Sequence, residues 1–128
     1  MLEPDGRGSH WFYLDTLKTE LKERLHSNHS LKLKFRPSER WPEAEVPADV
    51  QNALGSDPSI REIWLDITPL ARRDWLRWIC STKNPETRQR RISAALDKMK
   101  GGERRPCCFN RNACCDPHVS ASGTLNIP

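Results

Sequence analysis

Two groups of side chains in this sequence could do chemistry, and both lie beyond Thr68. The first is sulfur-bearing: Cys107-Cys108, then Cys114-Cys115, then His118. These are metal-ligand types, but a tetrahedral zinc site usually draws thiolates from Cys-x2–4-Cys knuckles, whose intervening residues let both sulfurs face one ion. Adjacent cysteines do that poorly. Disulfides compete as a reading and are limited by a reducing compartment. The third reading is free thiols made somewhat reactive by the charge of Arg104 and Arg105. The spacing favours the last, so the segment is expected to be mobile and metal-free, and no cofactor is expected. Cys80, on the apolar side of a helix, reads as a small buried hydrophobe.

The second group is cationic. Arg73 and Arg77 stand four apart and Arg88 and Arg91 three apart, with Arg72 and Arg90 beside them and Arg104 and Arg105 just beyond. Rows at these spacings share a helix face, and guanidinium forks can each grip two oxygens of a phosphate. These eight arginines are the candidate anion- or partner-binding residues. The competing reading makes them solvated helix faces, or pairs them inside the bundle with Asp74, Glu86 and Asp97.

The charge is lopsided in the same direction. Of 21 Lys/Arg and 17 Asp/Glu, residues 68–111 hold twelve and four, a local +8, whereas residues 1–67 hold nine and twelve, a local −3. Such a surface favours anionic partners. No helix-turn-helix spacing, zinc finger or RNA-binding aromatic motif accompanies it, so the nucleic-acid signal is weak. Enzyme motifs are lacking too: no G-x-S-x-G, no glycine-rich phosphate loop, no His-Glu-x-x-His. His10, His26, His29 and His118 have no carboxylate at a spacing that suggests catalysis. The expectation is a non-enzymatic protein.

At 128 residues with a mean hydropathy of −0.77, the chain can bury one modest core or two very small ones. No apolar run reaches the ~18 residues of a membrane span, and Met1-Leu2-Glu3-Pro4-Asp5-Gly6 has no basic or apolar leader character, so a soluble cytoplasmic protein is expected.

The positioning elements fall into four parts. Residues 1–8 are a Gly/Pro lead-in expected to be disordered. Residues 9–45 read as a β-α-β unit: a strand over His10–Leu14, a helix capped by Asp15 or Thr16 with Leu17, Leu21 and Leu25 as its stripe, a turn at His26–Ser30, and a second strand in which Leu31, Leu33 and Phe35 alternate with Lys32, Lys34 and Arg36. Residues 46–102 read as four helices. The first carries Val50, Ala53 and Leu54 and ends at Gly55 in a left-handed C′ position. The second starts at Asp57-Pro58 and buries Ile60, Ile63, Trp64 and Ile67. The third starts at Thr68-Pro69 with Ala71, Trp75, Trp78, Ile79 and Thr82. The fourth starts at Asn84-Pro85 with Ile92, Ala95, Leu96 and Met99, and Gly101-Gly102 stops it. Three of these starts place a capping side chain before a proline at the first helical position. The tryptophans at 64, 75 and 78 read as core, and Trp41 as a cover over the joint between halves. Residues 103–128 are an irregular tail. The class is α+β: a β-α-β half-barrel unit, a four-helix cluster and the tail.

The run Arg-Arg, Trp-Ile, Lys-x-Pro-Glu-Thr-Arg, Arg-Arg-Ile and Arg-Arg-Pro-Cys between Thr68 and Cys108 resembles the C-terminal helical domain of the bacterial YdeI/OmpD-associated (OmdA, bacteriocin-protection) family. The stretch from Gly8 to Pro47 looks like the second half of the small AbrB-like β-barrel domain that usually precedes those helices. The resemblance implies a binding or stress-protection protein linked to resistance against bacteriocins or cationic antimicrobial peptides. It also implies an alternative, a nucleic-acid-binding regulator using the half-barrel and the basic helices. With half a barrel present, either truncation or a homodimer through that unit is expected, since open strand edges seek partners.

Overall fold

A computed structural model of the chain describes residues 1–26, 32–120 and 122–126. Its elements are strand β1 (Glu3–Pro4), strand β2 (His10–Trp11), a 3-10 turn at Leu14–Thr16, and helices α1 (Thr19–His26), α2 (Ala48–Gly55), α3 (Pro58–Asp66), α4 (Pro69–Cys80) and α5 (Pro85–Lys100). The class is α+β, with α2 to α5 as the helical cluster. No helix among the described residues is long and apolar enough to cross a membrane.

The helical cluster forms where the short-range signals place it. Asp57 accepts a hydrogen bond from the Ser59 N–H at 2.9 Å, Thr68 Oγ1 from Ala71 at 3.2 Å, and Asn84 Oδ1 from Thr87 at 3.0 Å, so each satisfies an otherwise orphaned first-turn donor. Proline follows each cap. α5 ends in a Schellman arrangement: Glu103 N–H reaches the Lys98 carbonyl at 2.9 Å, Gly102 N–H the Met99 carbonyl at 3.0 Å, and Gly102 takes φ +90°. Gly55, by contrast, stays inside α2, which closes on Ser56 in right-handed conformation. The Ser56 hydroxyl caps the Ala53 carbonyl at 2.7 Å, which makes a left-handed residue unnecessary there.

α5 is the hub, packing against α2, α3 and α4. The core is Val50, Leu54, Ile60, Trp64, Ile67, Ala71, Trp75, Leu76, Ile79, Ile92, Ala95 and Met99, with Ile63, Trp78 and Leu96 partly buried against it. Trp75 is fully buried and meets Trp78 edge to face, ring centres 5.9 Å apart.

The N-terminal region differs from the β-α-β expectation. The strand at His10 pairs with the lead-in itself, Glu3 opposite Trp11 and Pro4 opposite His10, in a tight antiparallel hairpin. Asp5 holds the turn, its buried carboxylate accepting from the N–H groups of Arg7 at 2.8 Å and Ser9 at 2.9 Å, and the Arg7 bond keeps its pKa below the usual value. Among the described residues Lys32–Ser38 carries no ladder, and no strand there stands beside it to satisfy its backbone. Of the expected turn at His26–Ser30, His26 is the last residue of α1, and the rest, with Leu31, lies outside the described residues. Trp41 is half-exposed and stacks on Arg73 of α4, with the guanidinium 5.6 Å from its ring centre, and shares a groove with Met1, Leu2 and Phe12.

The tail is irregular as expected, but it is tied down. Gly6 N–H donates to the Asn112 carbonyl at 3.1 Å, Leu125 N–H to the Asp5 carbonyl at 2.9 Å, and Cys114 N–H to the Gly123 carbonyl at 2.8 Å. The two ends of the chain thus close on each other.

Two substitutions test this packing. Trp75→Ala should cost about 3–5 kcal/mol in a denaturant titration, and Trp78→Ala, half-covered, clearly less. At Gly6, φ is +79° and an added Cβ would stand 2.3 Å from the Gly123 carbonyl oxygen. Gly6→Ala should cost about 1–3 kcal/mol and raise hydrogen exchange in residues 112–125 while leaving α2 to α5 protected.

Candidate functional site

The arginine rows turn largely inward. Arg72 spreads over the end of α3, donating to the carbonyls of Trp64, Leu65 and Ile67 at 2.9, 3.2 and 2.6 Å, and holds the Glu43 carboxylate with its other two nitrogens. It acts as a C-terminal cap supplied by the next helix. Arg73 is buried, paired with Glu3 and in contact with the Met1 sulfur. Arg88 grips Asp49 with two nitrogens, at 2.6 and 2.9 Å, and lies 3.3 Å from Cys80 Sγ. Arg91 donates to the Trp78 carbonyl at 2.7 Å and lies over that indole. Arg104 pairs with Asp66 at 2.6 Å. Arg90 reaches only Thr87 Oγ1, and Arg105 is exposed without a polar partner among the described residues.

The partners differ from those expected. Asp74 faces Arg111 at 3.5 Å rather than a helix arginine. Among the described residues, neither Glu86 nor Asp97 forms an ion pair with the rows, whose carboxylates come from Glu3, Glu43, Asp49 and Asp66.

Arg77 has a different setting. Its Nη2 donates to the carbonyls of Arg111 and Ala113, both at 2.9 Å, and approaches Cys115 Sγ at 3.7 Å, while its guanidinium lies over Phe109, 5.9 Å from the ring centre. Its Nε is buried with no hydrogen-bond partner. Around it opens a cleft of about 660 Å³ whose floor is one stripe of α4, Arg73, Leu76, Arg77 and Cys80. Glu3, Trp11 and Tyr13 wall it on one side, and Cys115, Asp116 and Pro117 on another. The Tyr13 hydroxyl donates to the Asp116 carboxylate, which pushes the phenol up to about 12.

The sulfurs do not gather. Cys107 and Cys108 are joined to each other, Cys114 is buried, Cys115 is half-buried, and Cys80 is half-buried against Arg88 rather than enclosed in the core. Burial pushes the Cys115 thiol up, more than Arg77 beside it pulls it down. His118 sits in a turn, its N–H donating to Asp116 at 2.8 Å. Among the described residues no three His, Cys, Asp or Glu side chains converge as metal ligands do. His29 lies outside the described residues, as does the side chain of His26.

The cleft was not singled out by motif. A signal existed, since positions 73, 76, 77 and 80 fall at i, i+3, i+4 and i+7, a second face on a helix whose first face is the core stripe. The arrangement suits non-covalent binding of a ligand with apolar and charged parts: Trp11 and Tyr13 offer apolar surface, and Glu45 and Asp116, which form no ion pair among the described residues, offer negative charge.

Residues 43–102 match the family described as Bacteriocin-protection, YdeI or OmpD-Associated (OmdA). No curated protein and no solved structure matches the chain.

Acid should loosen these ties in a defined window. Arg88 holds the Asp49 carboxyl below its ordinary value, Arg72 does the same for Glu43, and Lys100 with Ser59 for Asp57. A carboxylate whose folded pKa is depressed stabilises fully above its unfolded pKa and loses that contribution as pH falls through the folded value. The melting temperature should therefore hold steady from pH 7 to about 5 and fall below about 4. Asp49→Asn should lower it at pH 7 and flatten the acid decline.

Proposed function

Because residues 43–102 are a helical segment of the Bacteriocin-protection, YdeI or OmpD-Associated family, we propose that the chain is a non-enzymatic binding protein in stress protection, taking its ligand in the cleft over α4. The observation that carries this reading is the cleft itself. Segments from both ends of the chain are braced against one helix stripe and leave a cleft of about 660 Å³ over it, with a buried, unpartnered Arg77 Nε at its edge. Bacteriocins and cationic antimicrobial peptides are the first ligand class to try, since Glu45 and Asp116 at the cleft wall can receive cationic side chains and Trp11 an apolar one.

The alternative is a nucleic-acid-binding regulator. It needs outward-facing arginines, and most of the candidate rows are spent on the protein's own carbonyls and carboxylates, which supports the first reading over this one.

Expression of the intact chain in a bacterial host should raise the concentration of bacteriocin or cationic peptide needed to stop growth. Glu45→Gln with Trp11→Ala, both at the cleft wall and outside the helices, should abolish that gain while the purified variant keeps its helical circular dichroism. Equal protection by this folded variant would remove the cleft from the mechanism. Affinity for duplex DNA falling steeply and linearly on a log–log plot against salt would favour the regulator.

A further inference from the structure

A second surface lies apart from the cleft, sharing only Met1 with it. It is a groove of about 570 Å³ lined by Met1, Leu2, Phe12, Leu17 and Trp41 on one side and by the chain from Leu33 to Ser38 on the other. Three of its large apolar side chains face solvent: Leu33 is 41% exposed, Trp41 48% and Phe35 57%. A cluster of this kind on a small protein marks an interaction site. The segment is nonetheless seated, because the Phe35 ring packs edge-on to Phe12, with centres 6.0 Å apart.

Two further properties define what fits there. The backbone from Lys32 to Pro37 makes no hydrogen bond among the described residues, so a row of N–H and C=O groups stands open beside the groove. Lys32, Lys34 and Arg36 alternate with Leu33 and Phe35, are exposed, and have no ion-pair partner among the described residues. The segment is thus an apolar, open-edged and cationic stretch of chain.

We propose that residues 32–38 and the groove beneath them are a docking surface for an extended acidic segment of a partner protein, in which Asp or Glu alternates with apolar side chains. An added strand satisfies the open backbone groups, its apolar side chains enter the groove beside Phe35 and Trp41, and its carboxylates meet the three cations. A second copy of this chain meets the first two needs and fails the third. Antiparallel self-pairing about Lys34 sets Lys32 opposite Arg36 and Lys34 opposite Lys34, and like charges directly opposed destabilise a strand pair. A fatty acid brings one carboxylate and nothing for the backbone. A nucleic acid brings phosphates but no peptide edge.

The test uses the intact chain and a labelled synthetic peptide of alternating Asp and Leu, with an alternating Lys and Leu peptide as control, followed by fluorescence anisotropy. The acidic peptide should bind saturably and at least about tenfold tighter than the control, weakening with added salt. Lys34→Glu with Arg36→Glu should reverse the preference between the two peptides, and Phe35→Ser should remove binding of both. All three residues are exposed, so the helical melt should not move. Equal binding of the two peptides, no saturable binding, or acidic binding that survives Phe35→Ser would overturn the proposal. So would sedimentation showing the wild-type chain as a dimer that Phe35→Ser converts to monomer, which would assign the groove to self-association. None of these outcomes bears on the cleft, because Glu45→Gln with Trp11→Ala, neither of which lines the groove, should leave peptide binding unchanged.

Discussion

The indole N–H of Trp75 is the constraint from which much of this architecture follows. The ring is fully buried between α4 and its neighbours, and a buried donor left without an acceptor costs a large part of what burying the ring gains. Its Nε1 finds the carbonyl of Arg104 at 3.3 Å, just past the end of α5. The core is therefore complete only when the chain leaves α5 along one path. The Schellman turn at Gly102 starts that path, and Arg104 pairing with Asp66 across α3 fixes it from outside. Once the exit is set, residues 109–115 are delivered to Arg77, whose two carbonyl bonds and stack on Phe109 hold the tail where it can receive the N-terminal hairpin.

The arginines play a corresponding part at the edges of the bundle. A guanidinium offers five donors in a fixed plane, which suits carbonyl groups converging at a helix end as well as it suits phosphate. Arg72 over the last turn of α3 and Arg91 over the last turn of α4 are used in that way. Their charge is compensated locally, by Glu43 for Arg72 and by the face of Trp78 for Arg91. The local +8 counted along residues 68–111 therefore overstates the field felt by a partner, because carboxylates from residues 3 to 66 answer much of it.

That answer also separates what was legible in the sequence from what was not. The caps at Asp57, Thr68 and Asn84 act over two or three residues, and the stripes of α2 to α5 repeat every three or four, so both can be read along the chain. The arginine partners cannot: Arg72 finds Glu43 29 residues away, Arg88 finds Asp49 39 away, and Arg73 finds Glu3 70 away. Nothing local distinguishes an arginine spent on such a tie from a free one. The hairpin at the start was legible in principle, since Pro4-Asp5-Gly6 is a turn dipeptide with its preceding proline, but a lead-in of polar residues gives no apolar alternation to announce a strand. Residues 32–36 err the other way. Their alternation is that of a half-buried strand, and alternation specifies a face without supplying the neighbour that makes a ladder.

α4 is where these levels meet. Ala71, Trp75, Leu76 and Ile79 belong to the core, while Arg73, Arg77 and Cys80, with the edge of Leu76, floor the cleft, so one helix serves as core on one side and as a binding surface on the other. A helix with two committed faces can shift little without breaking one of them. The walls of the cleft are different in kind: they come from the hairpin of two-residue strands and the residues after it, from residues 44–47 and from the irregular tail, held by Arg73, Arg77, the Tyr13–Asp116 bond and three backbone contacts. Local stability follows the number of buried apolar contacts, so the floor is the rigid part and the walls are the part able to yield to a ligand. Binding that braces the walls would tighten both ends of the chain against α4 without disturbing Trp75, which lets the recognition surface adapt while the helical segment stays fixed.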